Sequence, residues 1–328
     1  MVSIMSNIAV IGFGALNMDY LYGVKQTVLD GEVPIDHIKA APGGSAANTI
    51  YGLAKLGVRT GFVGAIGDDE QGETCLKELQ DIGVDTTYIR IKNGKKTGLA
   101  LCISDESGRR AIYVLPGANR LLNSRDIDIN YLSQAGIIHF SSFVDEQQFN
   151  IQAELLEKLS GSVKISFAPG MLYAAKGMRV LSPLLRKSDI LFINKDELEK
   201  LTGEDFMSGA KKCLKQGCQI IVVTLGKGLT LEPGKVITGY ICDKDHEYKV
   251  EAAVDFGGHP DSTGAGDAFA AGFLFGLRKQ RRLDECGRLG DTMAHFAMRE
   301  VGARQGLPNL HTLKEIFPSI TNLDAEGA

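Results

Sequence analysis

The sequence predicts an α/β fold: a three-layer, doubly wound, mostly parallel sheet with helices on both faces, plus a small separate β-sheet. Three observations carry this. Short β-branched runs with no polar break recur along the chain, the pattern of strands buried on both faces. Segments of helical period lie between them, and regular alternation of the two implies parallel strands joined by crossover helices. Two stretches, 18–39 and 96–115, break the rhythm with patterns of their own.

In chain order, the first buried strand spans 8–12, and further strands are expected at 60–64, 136–140, 163–167, 190–193 and 219–224. Helices are expected at 46–56, 69–82, 151–159, 195–201 and 206–215. The stretch 18–39 has no helical period. In 96–115, Leu99, Leu101 and Ile103 alternate with smaller residues, a polar turn follows at 104–108, and 111–115 returns as a second strand. Strands that interrupt an α/β core commonly form their own sheet. A lid of 18–39 and 96–115 is therefore expected over one edge of a main domain made of 1–17, 40–95 and 116–328. The alternative is an edge excursion of the main sheet.

With 44% hydrophobic and 23% charged residues, the 328-residue chain has the balance of a globular protein with a sizeable core. Its 39 glycines follow no repeat and so mark tight turns and close backbone approaches. A net charge of −4 argues against nucleic acid or an acidic membrane surface as the main partner. The six cysteines form no Cys-x-x-Cys pair and the six histidines do not gather at ligand spacing, which argues against zinc and for reduced, buried thiols. No apolar run approaches the ~18 residues of a membrane span, and the start has neither a basic region nor a cleavage site. A cytoplasmic location is expected.

The strongest chemical signal is Asp261-Ser-Thr-Gly264-Ala265-Gly266-Asp267, followed by an apolar run to Leu277 that reads as a buried helix. A Gly-Ala-Gly turn opening such a helix leaves N–H groups without intrahelical partners, and the helix dipole adds positive potential there. Gly264, Ala265 and Gly266 are thus candidates to hold charge developing on a phosphoryl group. A further negative charge, Asp267, is odd in that place unless it accepts the proton of an attacking hydroxyl. The competing reading makes Asp267 a complement to the helix dipole.

A second signal runs from Pro42 to Gly57. Ser45 reads as the N-cap and Gly57 as the C-cap of a three-turn helix. Gly43 and Gly44 let a ligand touch bare backbone, and Asn48 offers a donor and an acceptor, as a polyol requires. The plainer alternative is a tight turn with Asn48 capping neighbouring backbone. In Gly12-Phe-Gly14-Ala-Leu-Asn17-Met-Asp19, the Gly-x-Gly could open a dinucleotide fingerprint, but Asn17 stands at the third glycine and no helical period follows. Asn17 and Asp19, two apart in extended chain, instead share a face and suit two adjacent hydroxyls, or else satisfy turn backbone. Asn194 and Glu197 follow a buried strand, where α/β sheets bind ligands. They could order Mg²⁺ through water or simply form a capping box. Thr224-Leu-Gly226-Lys-Gly228 also follows a buried strand and could pass near nucleotide phosphates. The chain has no Walker-type phosphate loop.

Taken in order over nearly the whole chain, these segments resemble the ribokinase (PfkB) family of sugar and nucleoside kinases. Gly43, Gly44 and Asn48, through Gly67-Asp68-Asp69, are similar to the family's first signature, and 261–277 to its second. The resemblance implies Asp267 as catalytic base and Gly264–Gly266 as anion hole. It implies acceptor contacts from Asn17, Asp19, Gly43, Gly44 and Asn48, and ATP with Mg²⁺ near Asn194 and Glu197. It also implies a nucleotide loop at Thr224, Gly226 and Gly228, an adenine-pocket border at Asp291, a monovalent-cation (K⁺) site at Asp261 and Gly302, and a homodimer joined through the lids. Three positions depart from the family pattern: Gly226-x-Gly228 in place of Gly-x-x-Gly, Ala168 before Pro169, and Ser141-Ser142 where ribokinases place a glutamate on ribose.

The resulting expectation is transfer of the γ-phosphoryl of ATP to a primary hydroxyl of a sugar. A nucleoside is the alternative acceptor, with Tyr20, Tyr113 and Phe143 as candidates to stack on a base. A nicotinamide-dependent oxidoreductase would rest on Gly12-x-Gly14 alone. Asp267 argues against a sugar-binding protein without catalysis, because pure binding needs no base there.

Overall fold

Val10–Phe13 (β1) carries no polar side chain and is wholly buried, which suits only a strand inside a sheet covered on both faces. In the computed structural model, which describes residues 8–28, 30–107, 109–159, 161–232, 235–252 and 262–317, it lies there. β1 pairs in parallel with β4 (Thr60–Gly67) on one side and β8 (Ile137–Ser141) on the other. β5 (Asp85–Lys92) lies outside β4. Beyond β8 come β9 (Lys164–Ala168), β10 (Ile190–Asn194) and β11 (Ile220–Glu232), all parallel, then β12 (Lys235–Cys242) and β13 (Glu247–Glu251) in antiparallel pairing. Strand order reverses between β1 and β8, and crevices at such switch points are where α/β sheets take ligands.

The two faces carry separate cores. One packs Ile11 and Phe13 with side chains of α3 (Ile129–Leu132), α4 (Glu146–Lys158), α5 (Gly170–Ala174), α6 (Met178–Lys187), α7 (Lys195–Thr202) and α8 (Phe206–Lys215). The other packs Val10 with α1 (Ser45–Lys55), α2 (Glu70–Asp81), α9 (Ala265–Arg278), α10 (Leu283–Ala297) and α11 (Leu310–Ile316). The three-layer expectation is met. Helix α9 is buried without interruption from Ala268 to Gly276, which accounts for its unbroken apolar sequence.

Some elements differ from the sequence reading. Helix α4 begins at Glu146, not 151. Gln148 hides the helical period, yet it is buried and its amide donates to the carbonyls of Arg120 and Leu122 at 2.7 and 3.0 Å. The strand expected to end at 224 continues to Glu232. Gly226 (φ +60°) and Gly228 (φ +86°) lie within an irregularity of the β11–β12 ladder, just beyond the last β10 pair at Thr224. β5, β12 and β13 lack the unbroken apolar run of the central strands and are additional.

A second, four-stranded sheet has the order β3 (His37–Gly43), β2 (Asn17–Val24), β6 (Gly98–Asp105), β7 (Arg110–Leu115). It shares no ladder with the main sheet, so the edge-excursion alternative is set aside. Strand alternation gives it two unlike faces. On one lies Asp19. On the other, Ala40, Tyr20, Leu101 and Tyr113 form a cross-strand row, flanked by Pro42, Met18, Leu99, Leu115 and by Ile38, Tyr22, Ile103, Ala111. Every residue of these three rows is apolar or aromatic, and Ile38, Tyr113 and Leu115 are about 60% exposed, whereas the next row along pairs Val24 with the buried Asp105.

Candidate active site

Helices α1 and α9 touch where Gly52 meets Ala271; a Cβ on Gly52 would lie 2.9 Å from that of Ala271. One turn back along each helix stand Asn48 and Asp267, and this close approach brings them together. Asn48 Nδ2 donates to Asp267 Oδ2 at 2.9 Å, and Ser45 Oγ donates to Asp267 Oδ1 at 2.7 Å. Thr49 Oγ1 donates to the Asp267 carbonyl at 3.2 Å. Burial pushes the Asp267 pKa up from its ordinary value. The hydrogen bonds from Asn48 and Ser45, then the charges of Arg304 and Arg110, pull against it without cancelling it.

Gly264 precedes α9 in a left-handed conformation (φ +75°), packed so closely on Ala303 that a side chain would collide. The space over Gly266 is open. The Ala265 N–H already points at the Ser262 carbonyl, 3.3 Å away, so of the three expected anion-hole residues this one is engaged within the turn.

On the acceptor side, Gly44 (φ +101°), not Ser45, caps α1; a side chain there would strike the Ala15 carbonyl. Ser45 is the first helical residue, and its hydroxyl turns to Asp267 instead of to its own helix. Gly57 (φ +80°) follows the C-cap, Leu56. Gly43 ends β3, and its missing side chain leaves room for the Asp19 carboxylate. Asn17 and Asp19 share a face of β2 as expected, but Asn17 Oδ1 already accepts from Asn119 Nδ2 at 2.9 Å. Asn119 also bonds both backbone groups of Leu16 at 2.9 Å, fixing the turn from β1 into β2. Ser141, at the end of β8, accepts from the Ala46 N–H at 3.2 Å.

Asn194 and Thr224 are register partners at the ends of β10 and β11. Asn194 and Glu197 form the capping box: Glu197 N–H donates to Asn194 Oδ1 at 2.8 Å, and Asn194 N–H donates to Glu197 Oε2 at 3.2 Å. Burial chiefly raises the Glu197 pKa, and the nearby Asp267 charge raises it further. Asp291 is buried in α10, its carboxylate 3.3 Å from His295 Nδ1. Gly302 has φ +105°, whereas Asp261 lies outside the described residues. Among the described residues no group of three or more His, Cys, Asp or Glu side chains could hold a metal.

The readings of Phe143 and of Tyr20 and Tyr113 need correction, and the argument against a dinucleotide turn is borne out. Phe143 is no base-stacking platform; it is 2% exposed and packs edge-on against Phe13. Tyr20 and Tyr113 lie on the lid face opposite Asp19, because side chains one apart in a strand point oppositely. Gly12 and Gly14 open no dinucleotide site: β1 leads into β2, with no helix terminus to meet a pyrophosphate, and Gly14 leaves room for Ser141 Oγ.

The sequence reading missed Arg304, whose guanidinium carbon lies 5.3 Å from the Tyr51 ring centre. A single arginine in an irregular segment gives no periodic signal. It also missed Arg110, on the lid strand β7, whose NH1 lies 3.4 Å from Ser262 Oγ beside the glycine turn.

The model of the pfkB family of carbohydrate kinases matches residues 7–310. An uncharacterized sugar kinase of Archaeoglobus fulgidus is 35% identical over 262 residues, 78% of this chain and 98% of that protein. An ATP-dependent ribose-1-phosphate kinase of Halopiger xanaduensis is 30% identical over 275 residues, 81% of this chain and 84% of that one. The crystal structure of an adenosine kinase from Sinorhizobium meliloti shares the fold, with a TM-score of 0.83 at 24% identity, covering 94% of this chain and 99% of that one. The fold and site thus define a phosphotransferase with an alcohol group as acceptor. The chain belongs to the pfkB family of carbohydrate kinases, the ribokinase-like sugar and nucleoside kinases. The oxidoreductase alternative falls with this. No helix among the described residues is long and apolar enough to cross a membrane.

Proposed function

We propose that this kinase transfers the γ-phosphoryl of ATP to a primary hydroxyl of a sugar, with Asp267 as general base. One observation carries the proposal: the Asp267 carboxylate, in the first turn of α9, is held by Ser45 and Asn48 of the Gly-Gly-Ser-Ala-Ala-Asn motif. A hydroxyl bound among Asp19, Gly43 and Asn48 would lie on the same side as this carboxylate. As the hydroxyl oxygen bonds to phosphorus, its proton passes to Asp267, and the γ-phosphorus bond to the leaving diphosphate breaks. Of the Gly264–Gly266 turn at the positive end of α9, the backbone at Gly266, with open space over it, would meet the developing charge, while the Ala265 N–H would first have to leave the Ser262 carbonyl. ATP as donor is supported by the name of the Halopiger relative.

Mg²⁺ fits the chemistry of the residues present. Glu197 is a buried carboxylate at the end of β10, held in the capping box with Asn194 and disfavoured in its charged form by burial and by the Asp267 charge, so a cation near it would offset that cost. Glu197 would hold it through water; bound there, Mg²⁺ neutralises phosphate charge. Asn194, Thr224, Gly226, Gly228 and Asp291 are proposed for the nucleotide, and Asp261 with Gly302 for K⁺. The protein is proposed to be cytoplasmic, with the β2, β3, β6, β7 sheet as a lid and a homodimer formed through that sheet's apolar face. The test is ADP release in a panel of sugars and nucleosides, for the wild type and Asp267→Asn. Release that no sugar stimulates, or that Asp267→Asn leaves intact, rejects the proposal.

A further inference from the structure

Arg304 is the largest side chain buried to within 1% exposure, and it lies in a segment between α10 and α11 that carries none of the acceptor motifs. Its three nitrogens go to three different elements. Nε donates to Asn48 Oδ1 at 2.9 Å in α1, and NH2 donates to the Gly43 carbonyl at 3.2 Å at the end of β3. NH1 pairs with Glu78 of α2, which balances its charge. Two of these partners are the proposed acceptor contacts.

Hydrogen-bond chemistry gives this arrangement a consequence. An arginine side chain only donates, and an ionised carboxylate only accepts. The Asn48 amide lies between one of each, so it satisfies both in a single orientation: Oδ1 toward Arg304 and Nδ2 toward Asp267. Without Arg304 the buried Asn48 Oδ1 and the Gly43 carbonyl both lose their donor, so the amide is held at one end only, by Asp267, and the end of the lid strand loses its tether. A lysine, a single point of charge on a flexible stem, cannot hold both partners as a planar fork does.

We propose that Arg304 is a positioning residue for the acceptor, setting the Asn48 amide against Asp267 and fixing the Gly43 backbone at the end of the lid strand. This rests on the reading of Asp267 as base and of Gly43 and Asn48 as acceptor contacts. It goes beyond that reading by assigning the geometry of the site to a residue that touches no reacting atom.

The experiment compares Arg304→Lys and the double variant Arg304→Met with Glu78→Gln against the wild type. The double variant removes the buried ion pair and leaves neither charge stranded, a replacement that buried pairs often tolerate. ADP release is followed with ribose, fructose, ribose 1-phosphate and adenosine, using whichever the wild type phosphorylates fastest, alongside the thermal midpoint. Both variants are expected to lose about ten- to a hundredfold in kcat/KM for the acceptor, while the KM for ATP stays near wild type. A purely structural role predicts a lower thermal midpoint with wild-type acceptor kinetics in the folded fraction. That result in either folded variant overturns the proposal. Asp267→Asn, run in parallel, separates the two claims. If it stays active, the base assignment fails. If it is inactive while the Arg304 variants keep wild-type kinetics, only the positioning role fails.

Discussion

Exchanging Asp267 for asparagine changes charge with almost no change of shape, so it separates chemistry from geometry. Ser45 can accept a hydrogen bond as readily as donate one, so an amide keeps both contacts. With Asp267 as base, kcat falls about 10²–10⁴-fold while ATP still binds. Stability moves the opposite way. The folded chain raises the Asp267 pKa above its unfolded value, so this group's stabilising contribution is full below the unfolded pKa and is lost as pH rises through the folded one. At neutral pH the ionised carboxylate is a net cost, and Asp267→Asn should raise the thermal midpoint by an amount that shrinks toward acid pH. A role limited to the helix dipole predicts a lower midpoint and intact turnover; calorimetry and kinetics on one preparation decide. For Asn48→Ala, loss of the amide strands Arg304 Nε in the interior and leaves the Asp267 carboxylate held by Ser45 alone, at a cost of roughly 1–3 kcal/mol. Acceptor KM should rise and kcat fall with the KM for ATP unchanged; a matching rise for ATP would mean a folding defect.

Two elements carry predictions of their own. The turn before α9 requires a left-handed residue at 264, and an L side chain there costs about 1–2 kcal/mol before the collision with Ala303 is added. Gly264→Ala should therefore lower the thermal midpoint and turnover together, whereas Gly266→Ala, with open space over its Cα, should cost much less stability. The β2, β3, β6, β7 sheet is expected to close on the acceptor, because phosphoryl transfer must exclude water and Asp19 and Gly43 sit on its own strands. Hydrogen exchange along these strands should slow when acceptor is added; unchanged exchange under saturating acceptor would count against closure.

At the scale of the whole molecule, the outer face of that sheet presents three cross-strand rows without a charged residue. Isolated exposed apolar residues are ordinary, but a contiguous apolar sheet face is a contact surface. Two copies packed through it would form a dimer, and Leu101→Lys, at the centre of the face, should dissociate it while leaving Asp267 and its partners untouched. Sedimentation velocity checks this: a wild type that is monomeric at assay concentration removes the dimer.

Unbroken β-branched runs and their spacing determined the parallel sheet, because a strand covered on both faces can tolerate little else. The glycines before Asp267 and the run from Pro42 to Gly57 likewise announced two helix boundaries, since Gly44, Gly57 and Gly264 each answer a local demand for positive φ. What the sequence left open depends on contacts between distant segments. Ser45 read as a cap until α9 packed beside it, Gln148 and Arg304 gave no local signal because their partners come from other segments, and the loop read at Gly226 and Gly228 lies within a strand because β12 pairs past them. Local pattern records what a residue asks of its own backbone. Which side chains meet across the core is decided by helix packing, here by Gly52 against Ala271, and no run of neighbouring residues encodes that meeting.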